Sequence, residues 1–129
     1  MNTSYKIALA VVVGTGLGAA AVEGLHAQAK PPTYVVVAIR SIKDADAYKV
    51  GVVDKASSAS VAAFGGRYVV RTQTITSFDG KPPERFVLLA FDSPEKAVAW
   101  HDSPAVQEIN AARIKTSDSL SFMVEGLAN

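Results

Sequence analysis

Arg71 and Arg113 are the residues of this chain best suited to chemistry, because each sits among apolar residues. A guanidinium facing a partly apolar cavity can fix a carboxylate or an enolate through a bidentate pair. The competing reading is structural: an ion pair with Asp54, Glu108 or Asp118, or a contact to helix carbonyls, since buried charge is normally paired. Trp100 and His101 come next. A neutral imidazole near a cavity mouth can act as a general base, and an indole can line an aromatic ligand site. Equally, a histidine at a helix C-terminus complements the dipole, and a tryptophan there anchors a core or an interface. Tyr34, Tyr48 and Tyr68 can donate phenolic hydrogen bonds into a cavity while their rings pack.

Several familiar chemistries are excluded. His101, Asp102 and Ser103 are consecutive, and consecutive residues at a helix junction do not converge as a hydrolase triad does; Asp102 and Ser103 read as caps. Gly65-Gly66 is not a phosphate loop, because a strand rather than a helix N-terminus follows it. The chain has no cysteine and two histidines, and only His101 lies beyond residue 29, so neither a metal site nor a cofactor is expected. A formal charge of +1 with no basic cluster argues against nucleic acid or an anionic membrane as main partner.

These residues need elements to position them. Tyr34 to Arg40 is a nearly unbroken run of β-formers, read as a strand buried on both faces. Asp44 or Asp46 can cap a long helix, on which Tyr48, Val52, Ala56, Ala59 and Ala63 recur at spacings of three and four. Gly65 or Gly66 is the C′ residue, tolerating the positive φ that ends the helix. A second strand from Tyr68 to about Ser77 follows, with Arg67, Val69 and Arg71 on one face and Tyr68, Val70 and Thr72 on the other.

Asp79-Gly80 and Pro82-Pro83 close that strand, and Arg85 to Phe91 is the third, pairing antiparallel with it. Ser93-Pro94-Glu95 is a capped helix start, and the same device at Asp102-Ser103-Pro104 predicts two consecutive helices meeting at a bend. Val106, Ile109 and Ala112 form the buried stripe of the second, with Arg113 at its edge. Ser119 to Glu125 is the last strand. The order βαββαβ predicts a ferredoxin-like α+β sandwich, a four-stranded antiparallel sheet with helices on one face. The uncovered face is apolar too, so two subunits are expected to close face to face.

Residues 1–29 read as a secretory signal. Lys6 precedes an uncharged apolar run from Ile7 to Val22, and Ala27-Gln28-Ala29 is a small-x-small cleavage site. The run is broken by Gly14, Gly16 and Gly18 and is shorter than the roughly 20 apolar residues of a membrane span. Setting 29 of the 129 residues aside leaves 100, one small domain without disulfides, carrying 12 Lys and Arg against 11 Asp and Glu. Residues 30–33, with Pro31-Pro32, read as a stiff linker and 34–127 as the domain. The expected location is periplasmic or secreted, with membrane contact only through the signal before cleavage.

The chain resembles the domain of unknown function 1330 (DUF1330) family of the dimeric α/β-barrel superfamily. The matching residues are Tyr48, Gly65-Gly66-Arg67, Arg71, Pro83-x-Arg85, Phe91, Ala99-Trp100-x-x-Ser103-Pro104, Arg113 and Glu125-Gly126, spread over Tyr34 to Leu127. Two positions depart: Ala90 stands where relatives usually have an acid, and His101 where they commonly have tyrosine. The resemblance implies the fold and a homodimer that closes into an α/β barrel. Its superfamily includes cofactor-free monooxygenases, haem-handling enzymes, muconolactone isomerase-like enzymes and stress-related binding proteins.

Two functional readings follow. In the first, the protein binds a small anionic or aromatic molecule between sheet and helices, with Tyr48, Arg71, Trp100 and Arg113 as candidate ligand-binding residues. In the second, it is a cofactor-independent monooxygenase or isomerase, with His101 transferring a proton and Arg71 stabilising charge. Gly65, Gly66, Ser93 and Ser103 are expected to be structural. Expression in a host with a secretory pathway should yield a chain that begins at Lys30. Intact mass checks this, and a mass retaining Met1 would overturn the signal reading.

Overall fold

A computed structural model describes residues 30–128 of the chain. The signal reading and the Ala29–Lys30 cleavage point fall on or at the edge of residues 1–29, outside the described residues. Among the described residues no helix is long and apolar enough to cross a membrane.

Four strands, β1 (Thr33–Ile42), β2 (Gly66–Thr72), β3 (Arg85–Phe91) and β4 (Ser117–Glu125), form one sheet in the order β2-β3-β1-β4. Every pairing is antiparallel. The two crossovers carry the helices α1 (Ala45–Tyr48), α2 (Ser58–Ala63), α3 (Pro94–Asp102) and α4 (Pro104–Thr116). β1 takes in Thr33, and the Gly126 N–H donates to the Pro32 carbonyl at 2.7 Å, so the chain is tied to the sheet from Pro32 onward.

Strand register sorts the side chains. Val35 faces Leu89 and Met123, Val37 faces Val87 and Ser121, and Ile39 faces Arg85 and Ser119. This is the face beneath the helices: Val35, Leu89 and Phe91 bury against Val61 of α2 and Ala97 of α3. The opposite face runs through Val36, Leu88 and Phe122 and through Ala38, Phe86 and Leu120. These residues are half-buried or exposed, with Phe122 at 44%.

The first helical crossover corrects the expectation of one long helix. Asp44 is the N-cap, accepting from the Ala47 N–H at 3.0 Å. After Tyr48 the chain widens into a π-helical turn, Lys49–Val53, closed by the Asp54 N–H on the Lys49 carbonyl at 2.8 Å. Gly51 in that turn lies so close to α4 that a Cβ would come within 2.8 Å of the Ala112 Cβ. The helix then stops, and Ser57 caps a new one by accepting from the Ser60 N–H at 3.1 Å. The alanine stripe therefore breaks: Tyr48 is buried, but Ala59 and Ala63 are exposed and Val61 points inward.

The second strand is shorter than its β-branched composition suggests. It stops at Thr72, where the Thr72 hydroxyl accepts the Thr74 N–H at 2.9 Å, and β3 offers no partner beyond Phe86. Gly65 carries the positive φ, +76°, so it and not Gly66 ends the helix. Ser93 caps α3 by accepting from the Lys96 N–H at 3.2 Å. Ser103 differs from the expected cap: its hydroxyl donates back to the Trp100 carbonyl at 2.7 Å, closing α3 rather than capping α4.

Gly66 opens β2 directly against the buried Phe91, and a Cβ there would overlap the Phe91 ring. Gly66→Ala is expected to cost about 1–3 kcal/mol through overpacking. Calorimetry checks it, and an unchanged Tm would mean that the ring gives way freely.

Candidate functional site

The candidate site is an apolar cavity of about 220 Å³ between the sheet and the helices. Its floor is sheet: Val37, Val87 and Leu89. Period two in β3 places Arg85 on the same face as Val87 and Leu89, at the Ile39 end of the sheet. Arg71 reaches this face by a different route.

β2 carries a bulge. Tyr68 pairs with Leu89, Val70 with Leu88 and Arg71 with Val87, so Val69 has no opposite number. Strict alternation would put Arg71 and Tyr68 on opposite faces, as expected from the sequence. The extra residue moves Arg71 onto the face of Val87, Leu89 and Tyr68, a re-aiming that bulges commonly perform. The Arg71 guanidinium then lies 4.8 Å from the Tyr68 ring centroid. Arg85 likewise lies 6.0 Å from the Tyr48 ring centroid. Both are within cation–π range.

Arg113 enters from α4 and is the most buried of the three arginines, 8% exposed. Its Nη1 donates to the Ser119 hydroxyl at 2.6 Å, and its Nε has no partner. The acids that could have neutralised it are engaged elsewhere. Asp54 binds Lys49 at 3.0 Å, Glu108 binds Lys55 at 3.1 Å and Asp118 binds Arg40 at 3.3 Å. The expected ion pair is thus not formed, and among the described residues no carboxylate lines the cavity. A buried cation without a counter-charge is costly, on the order of several kcal/mol. Burial pulls the Arg113 pKa down, and the Tyr48 phenol opposes that shift. The guanidinium nevertheless remains protonated.

Tyr48, 4% exposed, stands among the arginines. Burial raises its phenol above the ordinary value, and the charges of Arg85, Arg113 and Arg71 pull it part of the way back. Tyr68 is raised by burial and lowered by Arg71. Both phenols are therefore neutral donors at neutral pH. Trp100 completes the wall, its ring 5.3 Å from that of Phe91.

His101 is not part of this cavity. Successive helical residues are turned by about 100°, so with Trp100 facing inward His101 faces out. Its Nδ1 lies 3.1 Å from Asp102 Oδ1 on the surface. It borders a separate groove of about 450 Å³ between the helices and β4, which reaches Arg113 from the other side. The expected partnership of His101 with Arg71 is not formed. Tyr34 also lies away, on the opposite sheet face against Ala90 and Val124. Ala90 shares that face with Arg67, its partner on β2; an acid at this position would meet Arg67 and not the cavity. Arg85 carried no assigned role in the sequence, although strand alternation with Val87 and Leu89 was the signal that could have found it.

The domain of unknown function (DUF1330) family matches residues 32–127. No curated protein matches the chain. Among solved structures, RPA0582 from Rhodopseudomonas palustris, a protein of unknown function, superposes with a TM-score of 0.58 at 16% identity, covering 84% of this chain and 94% of that one. Its methylated form gives 0.60, covering 83% and 90%, again at 16% identity. A "Putative antibiotic biosynthesis monooxygenase" from Nitrosomonas europaea gives 0.53 at 16% identity, covering 74% and 98%. At these identities the likeness is one of fold.

The raised phenols link stability to pH. Below the ordinary tyrosine pKa of about 10 both folded and unfolded chains hold the proton, and no effect arises. Above it the unfolded chain ionises first, the folded chain holds more protons, and stability falls as pH rises. Tyr48→Phe is expected to shallow that alkaline decline, measured as urea midpoints across the pH range. An identical decline in the variant would remove Tyr48 as its source.

Proposed function

The chain belongs to the DUF1330 family, whose description states no function, and from the cavity itself we propose a small-molecule-binding protein, exported and homodimeric. The ligand carries an anionic or aromatic group and lies between sheet and helices. One observation carries this reading: the Arg113 guanidinium is buried with an unpaired Nε and no acid beside it. A ligand anion supplies the missing counter-charge, and a charge-assisted bond to it is worth about 1.5–3 kcal/mol. Arg71 and Arg85 add positive potential at the same end of the cavity.

Two supports come from outside the cavity. The apolar face through Val36, Leu88 and Phe122 is the kind of surface that a second subunit covers, which supports the homodimer. The Ala27-Gln28-Ala29 signal supports export.

The enzymatic alternative, a cofactor-independent monooxygenase or isomerase, draws on the name of the Nitrosomonas europaea protein and on Tyr48 as a neutral donor beside three cations. Proton abstraction needs a base within hydrogen-bond reach. His101 stands outside the cavity, and among the described residues no Asp, Glu or His lines it. Binding is the better-supported reading.

Native mass spectrometry of the purified full chain tests it. The expected spectrum is a dimer with a small non-covalent adduct that Arg113→Gln loses. A bare monomer, or an adduct retained by the variant, would sink the proposal.

A further inference from the structure

The cavity's polarity, size and free donors narrow the ligand further, on the premise that the cavity is a binding site. Along the sheet it has two ends. Arg85 lies in the row of Ile39 and Ser119, where Arg113 is anchored, and Arg71 lies one row on, beside Val87. Beyond these come Leu89 and Val61, with Trp100 on the wall. The arginine end is cationic, with Tyr48 and Tyr68 beside its guanidinium groups, and the other end is apolar with Trp100 on its wall; Lys55, which also borders the cavity, is paired with Glu108.

The free edge of Arg113 selects the head group. Nη1 is taken by Ser119, while Nε is sealed from water without a partner and Nη2 makes no protein hydrogen bond among the described residues, so a ligand reaches this edge by a turn of the side chain toward the cavity. Nε–H and one Nη2–H lie parallel on one edge of the planar guanidinium. That edge matches the two oxygens of a carboxylate. Tyr48, held neutral, is a further donor nearby.

Volume selects the body. A cavity of about 150 Å³ accepts benzene, so about 220 Å³ holds one ring and a small substituent, and a carboxylate on two fused rings would push the second ring out through the open side. Three aromatic side chains, Tyr48, Tyr68 and Trp100, line the space and favour a planar ring by offset or edge contacts. We propose that this protein binds a single-ring aromatic carboxylic acid, its carboxylate paired side-on with Arg113 and its ring toward Trp100.

Trp100 is the only tryptophan of the chain, so its fluorescence reports occupancy directly. The full chain is titrated with benzoate, with benzamide, which is isosteric but uncharged, and with a naphthoate. Benzoate is expected to bind about ten- to a hundred-fold more tightly than benzamide, the range of a charge-assisted hydrogen bond, and more tightly than the naphthoate. In Arg113→Gln the preference for acid over amide should vanish. Arg113→Lys, which keeps the charge but lacks the two-donor edge, should retain only part of it. Equal binding of benzoate and benzamide by the unaltered chain overturns the carboxylate assignment while leaving a binding cavity in place. Tighter binding of the naphthoate overturns the single-ring assignment. Failure of all three probes to bind overturns the inference together with the binding-site reading beneath it. The comparison of acid with amide needs no variant, so a misfolded Arg113→Gln leaves the test intact.

Discussion

The two-residue period of the sheet is the constraint on which the rest of this structure depends. Each strand residue is committed to one of two faces, and the helices cover only one. For the strand residues, the chemistry follows from which face a side chain receives. Arg85 goes under the helices because it is in step with Val87 and Leu89. Arg67 and Ala90 go to the other side, where they meet each other and stay clear of the cavity. Alternation is broken at Arg40 in β1, where the register with β4 shifts, and at the bulge at Val69, which adds one residue and carries Arg71 across to join Tyr68. One unpaired backbone position thereby brings an arginine that stays exposed to the rim of the cavity.

Arg113 shows the same economy from the helical side. Its side chain leaves α4 and is buried, with one nitrogen held by Ser119. The nearby acids are drawn to surface lysines and to Arg40, pairs that are exposed and individually worth little. The energetic consequence is uneven: weak bonds on the outside remove the groups that could have quenched a strong field on the inside. The proposed anion site rests on that imbalance, which arises because Asp54, Glu108 and Asp118 each pair with a surface cation.

Much of the fold was legible in the residues. β1, β3 and β4 were placed within a few residues by their β-branched runs, and Ser93-Pro94-Glu95 marked α3 correctly because the cap and proline act locally. The features that escaped were those set by tertiary contact. Lys49–Val53 carries no helix breaker that a pattern would flag other than Gly51, whose role is close approach to Ala112. The bulge at Val69 lies in a run of strong β-formers with no glycine to announce it. Consequently Tyr48, Trp100, Arg71 and Arg113 were named from composition and resemblance, and all four line one cavity. His101 lies outside that cavity because its ring turns to the surface against Asp102, while its neighbour Trp100 lines the wall.

The broken first crossover carries a kinetic consequence. α1 has four residues and α2 six, far below the length at which a helix holds its shape alone in water. The wall they form over the cavity is therefore folded only while it rests on the sheet and on α4. Lifting that short segment breaks few bonds, whereas opening the sheet means unfolding the domain. Detachment of this segment would widen the cavity's opening, at a rate governed by its local grip and independent of how firmly the sheet itself is held.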